Sequence, residues 1–452
     1  TYWISVRHQQ HLSQKVLIPI IAASGYIFIA QALKFDTLHM YVDLSHWLQV
    51  LESIIATGVP HALNGEFIFP GTINYFSMHF TPLIYLFAPV FALFPHPKTL
   101  LFLQGIAMFS SIIPLYLLAK KMQGSKLFAL FIVALFVWYP TFQYITLYEF
   151  EMLRFSIPIM LWMLFFWEER RAPLFFLFVL LALLVREEIG LTIFMFGVYI
   201  FLIEKKRYAG MGIGALGLSC FFAIVTLVIP YFNSATEASY LPFSIFAKFG
   251  SSPLEIFYTI ITNPKLFLET IFSVTKMANI FMLLIPLLLA PLAAIPVLIS
   301  TLANLGVSLL SDEVEHSSYM LYYIAPMVPF VFYATLKGWG TITKHLRESA
   351  VMVAMLSAVI TANIFFGPSP LSVQFWSEEL RPAPFRTQRY HWTTYRIEER
   401  HRQVQSFVDL IPDDAIVSAE QLLTPRLTKK RGTMIFPQTE SLDGLYSAEY
   451  VF

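Results

Sequence analysis

The chain has 452 residues, of which 57% are hydrophobic and only 13% are charged. A soluble protein carries roughly 25% charged residues, so the composition excludes an ordinary soluble fold. The formal net charge of +1 provides no basic footprint for DNA or RNA, which excludes a nucleic-acid-binding function as well.

Uncharged apolar runs recur along the chain, and many approach or exceed the roughly 18 residues that cross a bilayer as a helix. We therefore predict an all-α polytopic membrane protein with about 11 transmembrane helices. The predicted spans cover residues 16–33, 99–119, 127–147, 155–167, 172–185, 189–203 and 208–232, two spans around 277–311, and then 317–336 and 349–366. A long loop to about residue 265 is predicted after 208–232, and a tight apolar hairpin is predicted between the two spans within 277–311.

The first predicted loop, residues 34–98, contains two apolar segments that do not qualify as spans. In the first, residues 43–58, the apolar side chains recur at helical spacing, which predicts an amphipathic helix along the membrane surface. The second, residues 81–95, is short and has a proline near each end, so we interpret it as a surface or re-entrant helix.

Basic residues set the predicted orientation. With residues 81–95 not counted as a crossing, the short basic loops 120–126, 170–171, 205–207 and 337–347 all fall on one side. The positive-inside rule assigns that side to the cytoplasm. The sequence therefore predicts a multi-pass protein of the plasma (inner) membrane, with a cytoplasmic N-terminus and an extracytoplasmic C-terminus.

The predicted transmembrane domain covers residues 1–366, and a polar tail follows it. Residues 367–392 are rich in proline and aromatic residues and are expected to form a linker along the membrane surface. We predict that residues 393–452 form a small extracytoplasmic α/β domain with a helix at 393–411 and strands at 415–419 and 434–437. The chain stops within a further strand-like segment, so we expect this domain to be truncated.

The predicted topology brings acidic side chains from separate places in the chain to the outer face. Ionisable groups where a helix leaves hydrocarbon are costly and mark a functional-site hypothesis. The acidic residues are Asp43, Glu149, Glu151, Glu187, Glu188, Asp312, Glu313 and Glu315, and they are accompanied by His79, Arg154, Arg186 and His316.

These residue types match the needs of a group-transfer site. A carboxylate can take a proton from an incoming hydroxyl, other carboxylates can hold a divalent ion such as Mg²⁺ or Mn²⁺, and arginines can grip a phosphate. Each has a structural alternative. Asp43 could cap its helix, Glu151 could pair with Arg154, and the acidic run at 312–316 could be solvated.

Several short motifs resemble, in order and spacing, a bacterial and archaeal family of predicted membrane proteins, number twenty seventy-nine among the domains of unknown function. The similarity extends over about residues 35–452. The matching pieces are Tyr41-Val42-Asp43-Leu44, Met78-His79-Phe80-Thr81-Pro82, Ala88-Pro89 to Leu93-Phe94-Pro95, Tyr148-Glu149-Phe150, Arg186-Glu187-Glu188, Phe249-Gly250, Asn263-Pro264, Ile411-Pro412-Asp413-Asp414-Ala415, Val417-Ser418-Ala419 and Tyr450-Val451.

That family is similar in layout to GT-C glycosyltransferases, polytopic enzymes that use polyprenyl-phosphate sugars and have an essential acid in the first outer loop. The resemblance implies that Asp43 is this acid and that a second acidic motif falls at Glu149. With Glu151 these form the predicted catalytic set. Arg154 and Arg186 are then the expected phosphate-binding residues, and the supporting residues are His79, Glu187, Glu188 and His316.

The chain also departs from the family pattern. Glu149 and Glu151 stand where the family usually has Asp and His, Met152-Leu153 replaces Pro-Glu, and Leu48 replaces a second Asp. These changes keep an alternative open, a non-catalytic membrane scaffold that binds partner membrane proteins. A transporter is the least favoured alternative. Transporters have their charged binding residues near the bilayer midplane and contain broken helices within internal repeats.

Overall fold

The structure is a computed structural model that describes residues 21–64, 74–233, 241–377, 390–427, 430, 432–439 and 447–451. Residues 16–20 of the first predicted span and 378–389 of the predicted linker lie outside the described residues. The α-helices are α1 (21–36), α2 (Val42–Thr57), α3 (Ala88–Leu93), α4 (Pro97–Ser110), α5 (Ile112–Gln123), α6 (Lys126–Trp138), α7 (Pro140–Leu147), α8 (Ser156–Glu168), α9 (Ala172–Leu183), α10 (Ile189–Leu202), α11 (Arg207–Ala223), α12 (Ile229–Phe232), α13 (Pro253–Thr262), α14 (Pro264–Ile271), α15 (Val274–Leu284), α16 (Ile295–Leu298), α17 (Leu302–Leu310), α18 (Val328–Thr343), α19 (Glu348–Phe366), α20 (Val373–Trp376) and α21 (Glu399–Val408).

The chain is mostly helical, and several of its helices suit a bilayer. Within the described residues, five are long and apolar enough to cross a membrane, or up to seven if each of two bent pairs counts as one span. The predicted number of about eleven is therefore not confirmed, and it depends on α1 and on short helices such as α8, α9 and α10. A helix the length of α8, 13 residues, spans only about 20 Å.

Proline explains one of the two bends. The predicted span 127–147 is divided into α6 and α7, whose axes differ by 54°. Pro140 opens α7, and a proline at this place removes a backbone donor and prevents α6 from continuing. The chain therefore changes direction before it reaches the acidic segment that begins at Tyr148.

Glycines allow α10 and α11 to pack with their backbones in close contact. A β-carbon on Gly217 would lie 2.5 Å from the Gly190 carbonyl oxygen and 2.7 Å from the Phe194 nitrogen. Gly197, Gly210 and Gly190 face comparably close backbone neighbours. Small residues at such contacts are typical of helix pairs in membranes.

The four predicted basic loops meet at one end of the helices. Lys121 pairs with Glu169 at 3.0 Å, and Lys337 pairs with Glu168 at 2.7 Å. Lys206 lies 2.8 Å from Glu204, which is also 3.8 Å from Lys337. These side chains come from the ends of α5, α8, α10 and α18, so the loops share one side of the bundle, as the topology predicted.

Helix α2 is more deeply buried than a surface helix would be. The prediction of an amphipathic helix over 43–58 agrees with α2, but the polar side chains Ser45, His46 and Gln49 are buried along with the apolar ones. Other parts of the chain cover the first half of α2, whereas Ile55, Ala56 and Thr57 at its end are exposed, and its position along the membrane surface stays a prediction.

The region between α12 and α17 corrects another expectation. We predicted a long loop up to about residue 265, but the described part contains the amphipathic helices α13 and α14. The hairpin predicted within 277–311 is present. Leu288 and Leu289 adopt left-handed backbone conformations with φ of 50° and 58°, which reverses the chain between two apolar helical segments.

The tail forms the predicted small α/β unit. Strands β1 (Ile416–Ala419), β2 (Gly432–Ile435) and β3 (Tyr450–Val451) make a parallel sheet in the order β2-β1-β3. Val408 and Ile411 at the end of α21 pack against Val417 and Ala419 of β1. This small apolar core explains why a helix precedes the sheet.

The tail is attached to α2 and to the end of α1. The Gln49 side chain of α2 donates to the Thr433 carbonyl at 2.9 Å and accepts from the Leu63 backbone N–H at 2.9 Å. Arg426 donates to the Asp36 carbonyl at 2.9 Å. The helix that begins beside Asp43 is therefore held between the tail and the helical bundle.

Candidate functional site

A cavity of about 440 Å³ lies at the end of the bundle away from the basic loops. Helices α8, α10 and α18 each begin close to it and end near the cluster of Lys121, Lys206 and Lys337. Ligand pockets commonly enclose about 300–1,000 Å³, so the cavity has room for a small ligand. Predicted site residues in its wall are Asp43, His79, Glu151, Arg186, Glu188 and His316.

Asp43 reaches the cavity from the first turn of α2, where it is partly buried. The Tyr148 hydroxyl donates to its Oδ2 at 3.0 Å. Burial, reinforced by the negative charges of Glu149 and Glu151, raises the pKa of the Asp43 carboxyl to about 8. This carboxyl therefore binds a proton near neutral pH far more strongly than an ordinary aspartate does.

Glu149 and Glu151 fix the position of α2. Glu149 accepts from the Leu44 backbone N–H at 3.2 Å, where the unpaired N–H groups of a helix N-terminus favour a carboxylate. Glu151 accepts from the Trp47 indole N–H at 2.9 Å. Both residues are at least 95% buried, but Glu151 lines the cavity and Glu149 does not.

Arg186 is the centre of an ion-pair network. Its guanidinium lies 3.3 Å from Glu188, 3.8 Å from Glu151 and 4.0 Å from Glu187. Burial alone would lower the pKa of Arg186, but these carboxylates raise it well above its usual value. Burial in turn raises the pKa of Glu188, although Arg186 opposes this.

His79 links Arg186 to Glu187. Arg186 Nη2 lies 2.8 Å from His79 Nε2, and His79 Nδ1 lies 2.7 Å from Glu187 Oε1. The other Glu187 oxygen accepts from the Phe80 backbone N–H at 3.0 Å. Glu187 thus holds the segment around His79 in place, which makes it a supporting residue behind the cavity wall.

Arg154 does not reach the cavity. Its side chain is fully buried, and Nη1 donates to the Tyr148 carbonyl at 3.2 Å. Its guanidinium also lies 5.7 Å from the centre of the Tyr148 ring. Of the two arginines predicted to bind phosphate, Arg186 is therefore the one in the wall of the cavity.

The acidic run at 312–316 divides between the cavity and its surroundings. Glu313 and His316 line the cavity, and His316 Nδ1 lies 2.9 Å from the Ser311 hydroxyl. Asp312 pairs instead with Lys248 at 3.1 Å, and Glu315 is exposed. The prediction that the outer acids converge thus describes most of the set but not Asp312 or Glu315.

Comparison with known proteins assigns a family. The sequence pattern of a family described as "Predicted membrane protein (DUF2079)" matches residues 37–451. The chain belongs to this family. The resemblance inferred from the sequence motifs is thereby confirmed, whereas the likeness to GT-C glycosyltransferases stays a prediction. No curated protein matches the chain.

The cavity of this DUF2079 protein also contains aromatic residues that the sequence analysis did not select. Four of them form two pairs. The rings of Trp47 and Tyr75 are 4.5 Å apart, and those of Tyr322 and Tyr323 are 4.4 Å apart. A Tyr-Tyr pair at the start of a long apolar segment was the available signal, but aromatic residues are so frequent in this sequence that it did not stand out.

The carboxylates do not form a ready metal site. Within the part of the chain that the structure describes, no group of three or more His, Cys, Asp or Glu side chains is arranged to hold a metal ion. Asp43, Glu149 and Glu151 instead accept hydrogen bonds from Tyr148, Leu44 and Trp47. The predicted Mg²⁺ or Mn²⁺ therefore stays a prediction, and no step below depends on one.

Proposed function

We propose that this DUF2079 protein is a GT-C-like glycosyltransferase that transfers a sugar from a polyprenyl-phosphate donor to an acceptor at the extracytoplasmic face. The observation that carries the proposal is Asp43. Its carboxylate lies in the wall of a cavity, is positioned by the Tyr148 hydroxyl and has a pKa raised to about 8. A general base works best when its pKa lies near the working pH.

The proposed reaction is a single displacement at the anomeric carbon. Asp43 accepts the proton of the acceptor hydroxyl while the hydroxyl oxygen bonds to the anomeric carbon. The bond between that carbon and the phosphate oxygen breaks, and polyprenyl phosphate leaves. Arg186 stabilises the negative charge on the leaving phosphate, because a positioned guanidinium is most effective where charge develops.

The other site residues act indirectly in this proposal. Glu149 holds the N-terminus of α2, and Glu151 holds the indole of Trp47, so both orient the helix that begins at Asp43. His79 and Glu188 contact the Arg186 guanidinium. Glu187 acts through His79, and His316 completes the wall of the cavity.

The positions of the charges support the proposed topology. The basic loops meet at the end of α8, α10 and α18 that is far from Asp43. If the positive-inside rule holds, that end is cytoplasmic and the cavity is extracytoplasmic, in the plasma membrane. The short helices α8, α9 and α10 then complete a count of about eleven spans, with the bilayer thinned around them.

The test is an assay of the purified full chain in lipid nanodiscs. Labelled polyprenyl-phosphate sugars are supplied together with extracted membrane glycolipids and peptidoglycan precursors as acceptors. Release of polyprenyl phosphate with incorporation of the label supports the proposal. Absence of transfer from every donor, together with co-purification of a stoichiometric membrane partner, would favour the scaffold alternative.

A further inference from the structure

The wall of the cavity has an excess of negative charge. Among its described residues, the carboxylates of Glu151, Glu188 and Glu313 face one cation, the guanidinium of Arg186. Asp43 is a fourth acid in this wall, and its raised pKa of about 8 keeps it mostly protonated at neutral pH. The Arg186 guanidinium already lies within 3.8 Å of Glu151 and 3.3 Å of Glu188. A further anion in this cavity would therefore add to a negative charge that the protein itself leaves uncompensated.

His46 does not supply the missing positive charge. His46 lines the cavity and is 94% buried. Burial, with the neighbouring His79 as a second cause, lowers the pKa of His46 to about 3. The ring therefore carries no charge at neutral pH, and its Nε2 has no hydrogen-bond partner among the described residues.

A second buried atom in the wall also has no hydrogen-bond partner. Glu151 is 95% buried, and its Oε2 accepts from Trp47. Its Oε1 has no donor within hydrogen-bond distance in the described part of the chain, since Arg186 is 3.8 Å away. A buried carboxylate oxygen in this condition is costly, which indicates that a donor arrives from a ligand.

The aromatic pairs indicate what kind of donor this is. Trp47 with Tyr75 and Tyr322 with Tyr323 contribute rings to the same cavity. Aromatic faces attract cations, and Trp and Tyr lining a pocket together with carboxylates are typical of sites for ammonium groups. Their flat apolar surfaces also suit the ring of a sugar.

We propose that the cavity binds a sugar that carries a protonated amino group. The ammonium would donate to Glu151 and compensate the carboxylates, while the rings of Trp47 and Tyr323 would pack against the sugar. Only the transfer of this sugar rests on the function proposed above; its binding does not. An ammonium beside Arg186 would also offset the charge that the donor's phosphate brings to the site.

The experiment is calorimetric titration of the full chain in nanodiscs with glucosamine, glucose and N-acetylglucosamine. These probes differ at one substituent, and glucosamine has the only cationic one at neutral pH. We expect glucosamine to bind and the two neutral sugars to bind at least about tenfold more weakly. Equal binding of glucosamine and glucose, or no binding of glucosamine, would overturn the proposal.

Two matched pairs of variants test the wall itself. Glu313→Gln removes a carboxylate that lines the cavity, whereas Glu315→Gln removes one two residues away that does not line it; both side chains are exposed. The first should weaken glucosamine binding severalfold and the second should not. Tyr323→Leu should weaken it roughly 2- to 30-fold, and Tyr323→Phe, which keeps the ring, should weaken it less than Tyr323→Leu does.

The outcomes separate this proposal from the proposed function. Transfer of a neutral sugar without preference for an amino sugar would contradict the amine site and leave the glycosyltransferase standing. Binding of glucosamine without transfer from any donor would do the reverse. If Mg²⁺ displaced glucosamine and filled the same number of sites, a metal ion and not an amine would compensate these carboxylates. That result would also overturn the proposal.

Discussion

Arg186 Nη2 and His79 Nε2 are 2.8 Å apart, and this contact determines which ring nitrogen of His79 carries the proton. Arginine has donors only, so Nε2 must accept. The proton of His79 then resides on Nδ1, which donates to Glu187 at 2.7 Å. A buried chain of hydrogen bonds therefore runs from Glu187 through His79 to the guanidinium in the cavity.

Replacing His79 should weaken the fold around the cavity. His79→Ala removes partners from both Arg186 and Glu187, and a buried polar group that loses its partner costs about 1–3 kcal/mol. We expect a lower thermal unfolding midpoint in detergent, measured by intrinsic fluorescence. The exposed His345 is the matched control, and His345→Ala should unfold with the wild type. Equal midpoints for all three proteins would show that the chain of hydrogen bonds is not formed.

The raised pKa of Asp43 predicts a particular pH dependence of stability. The native state keeps the proton up to about pH 8, while the unfolded chain releases it near pH 4. The native state thus binds more protons in between, so this residue lowers stability as the pH rises from about 4 to about 8. Asp43→Asn keeps an acceptor for Tyr148 and removes the effect.

We therefore expect Asp43→Asn to match the wild type near pH 4 and to exceed its stability increasingly as the pH rises to 8, by up to about 1.4 kcal/mol for each pH unit. Unfolding midpoints across this range provide the measurement. Asp36→Asn is the control, because Asp36 pairs with Lys98 in a half-exposed position. An advantage of Asp43→Asn that did not grow with pH would contradict the burial of this carboxyl.

The contact between α10 and α11 predicts a contrast between two glycines of the same helix. Gly217→Ala would place a β-carbon 2.5 Å from the Gly190 carbonyl oxygen, and forcing such helices apart costs about 1–3 kcal/mol. Gly212 has nothing within 4 Å of its β-position. Gly212→Ala should therefore be neutral or slightly stabilising, and comparable losses for both variants in thermal unfolding would argue against this packing.

Local sequence patterns predicted the helices and the tail well. Apolar run length located α8, α10 and α19, and the basic loops predicted which helix ends meet, because both signals come from contact with the bilayer. The predicted topology alone could place the acids that follow Asp43 on the same outer face of the membrane as Asp43. Strands β1 and β2 also lie in the tail where the sequence predicted strands, and the structure adds that they pair in parallel.

Other features depend on contacts between distant parts of the chain, and local patterns could not reveal them. The burial of Gln49 requires the tail to fold back onto α2. The withdrawal of Arg154 from the cavity depends on its bond to the Tyr148 carbonyl. Tyr323 and Trp47 become parts of one wall only when the segment before α18 is assembled with α2.

The most direct test of the account compares sugar transfer by the wild type, Asp43→Asn and Asp36→Asn in nanodiscs, with labelled polyprenyl-phosphate donors. If Asp43 is the general base, Asp43→Asn should lose about 10²- to 10⁴-fold in the rate of transfer, and Asp36→Asn should keep it. Transfer by Asp43→Asn at the wild-type rate would contradict the assignment of Asp43 as the residue that accepts the proton.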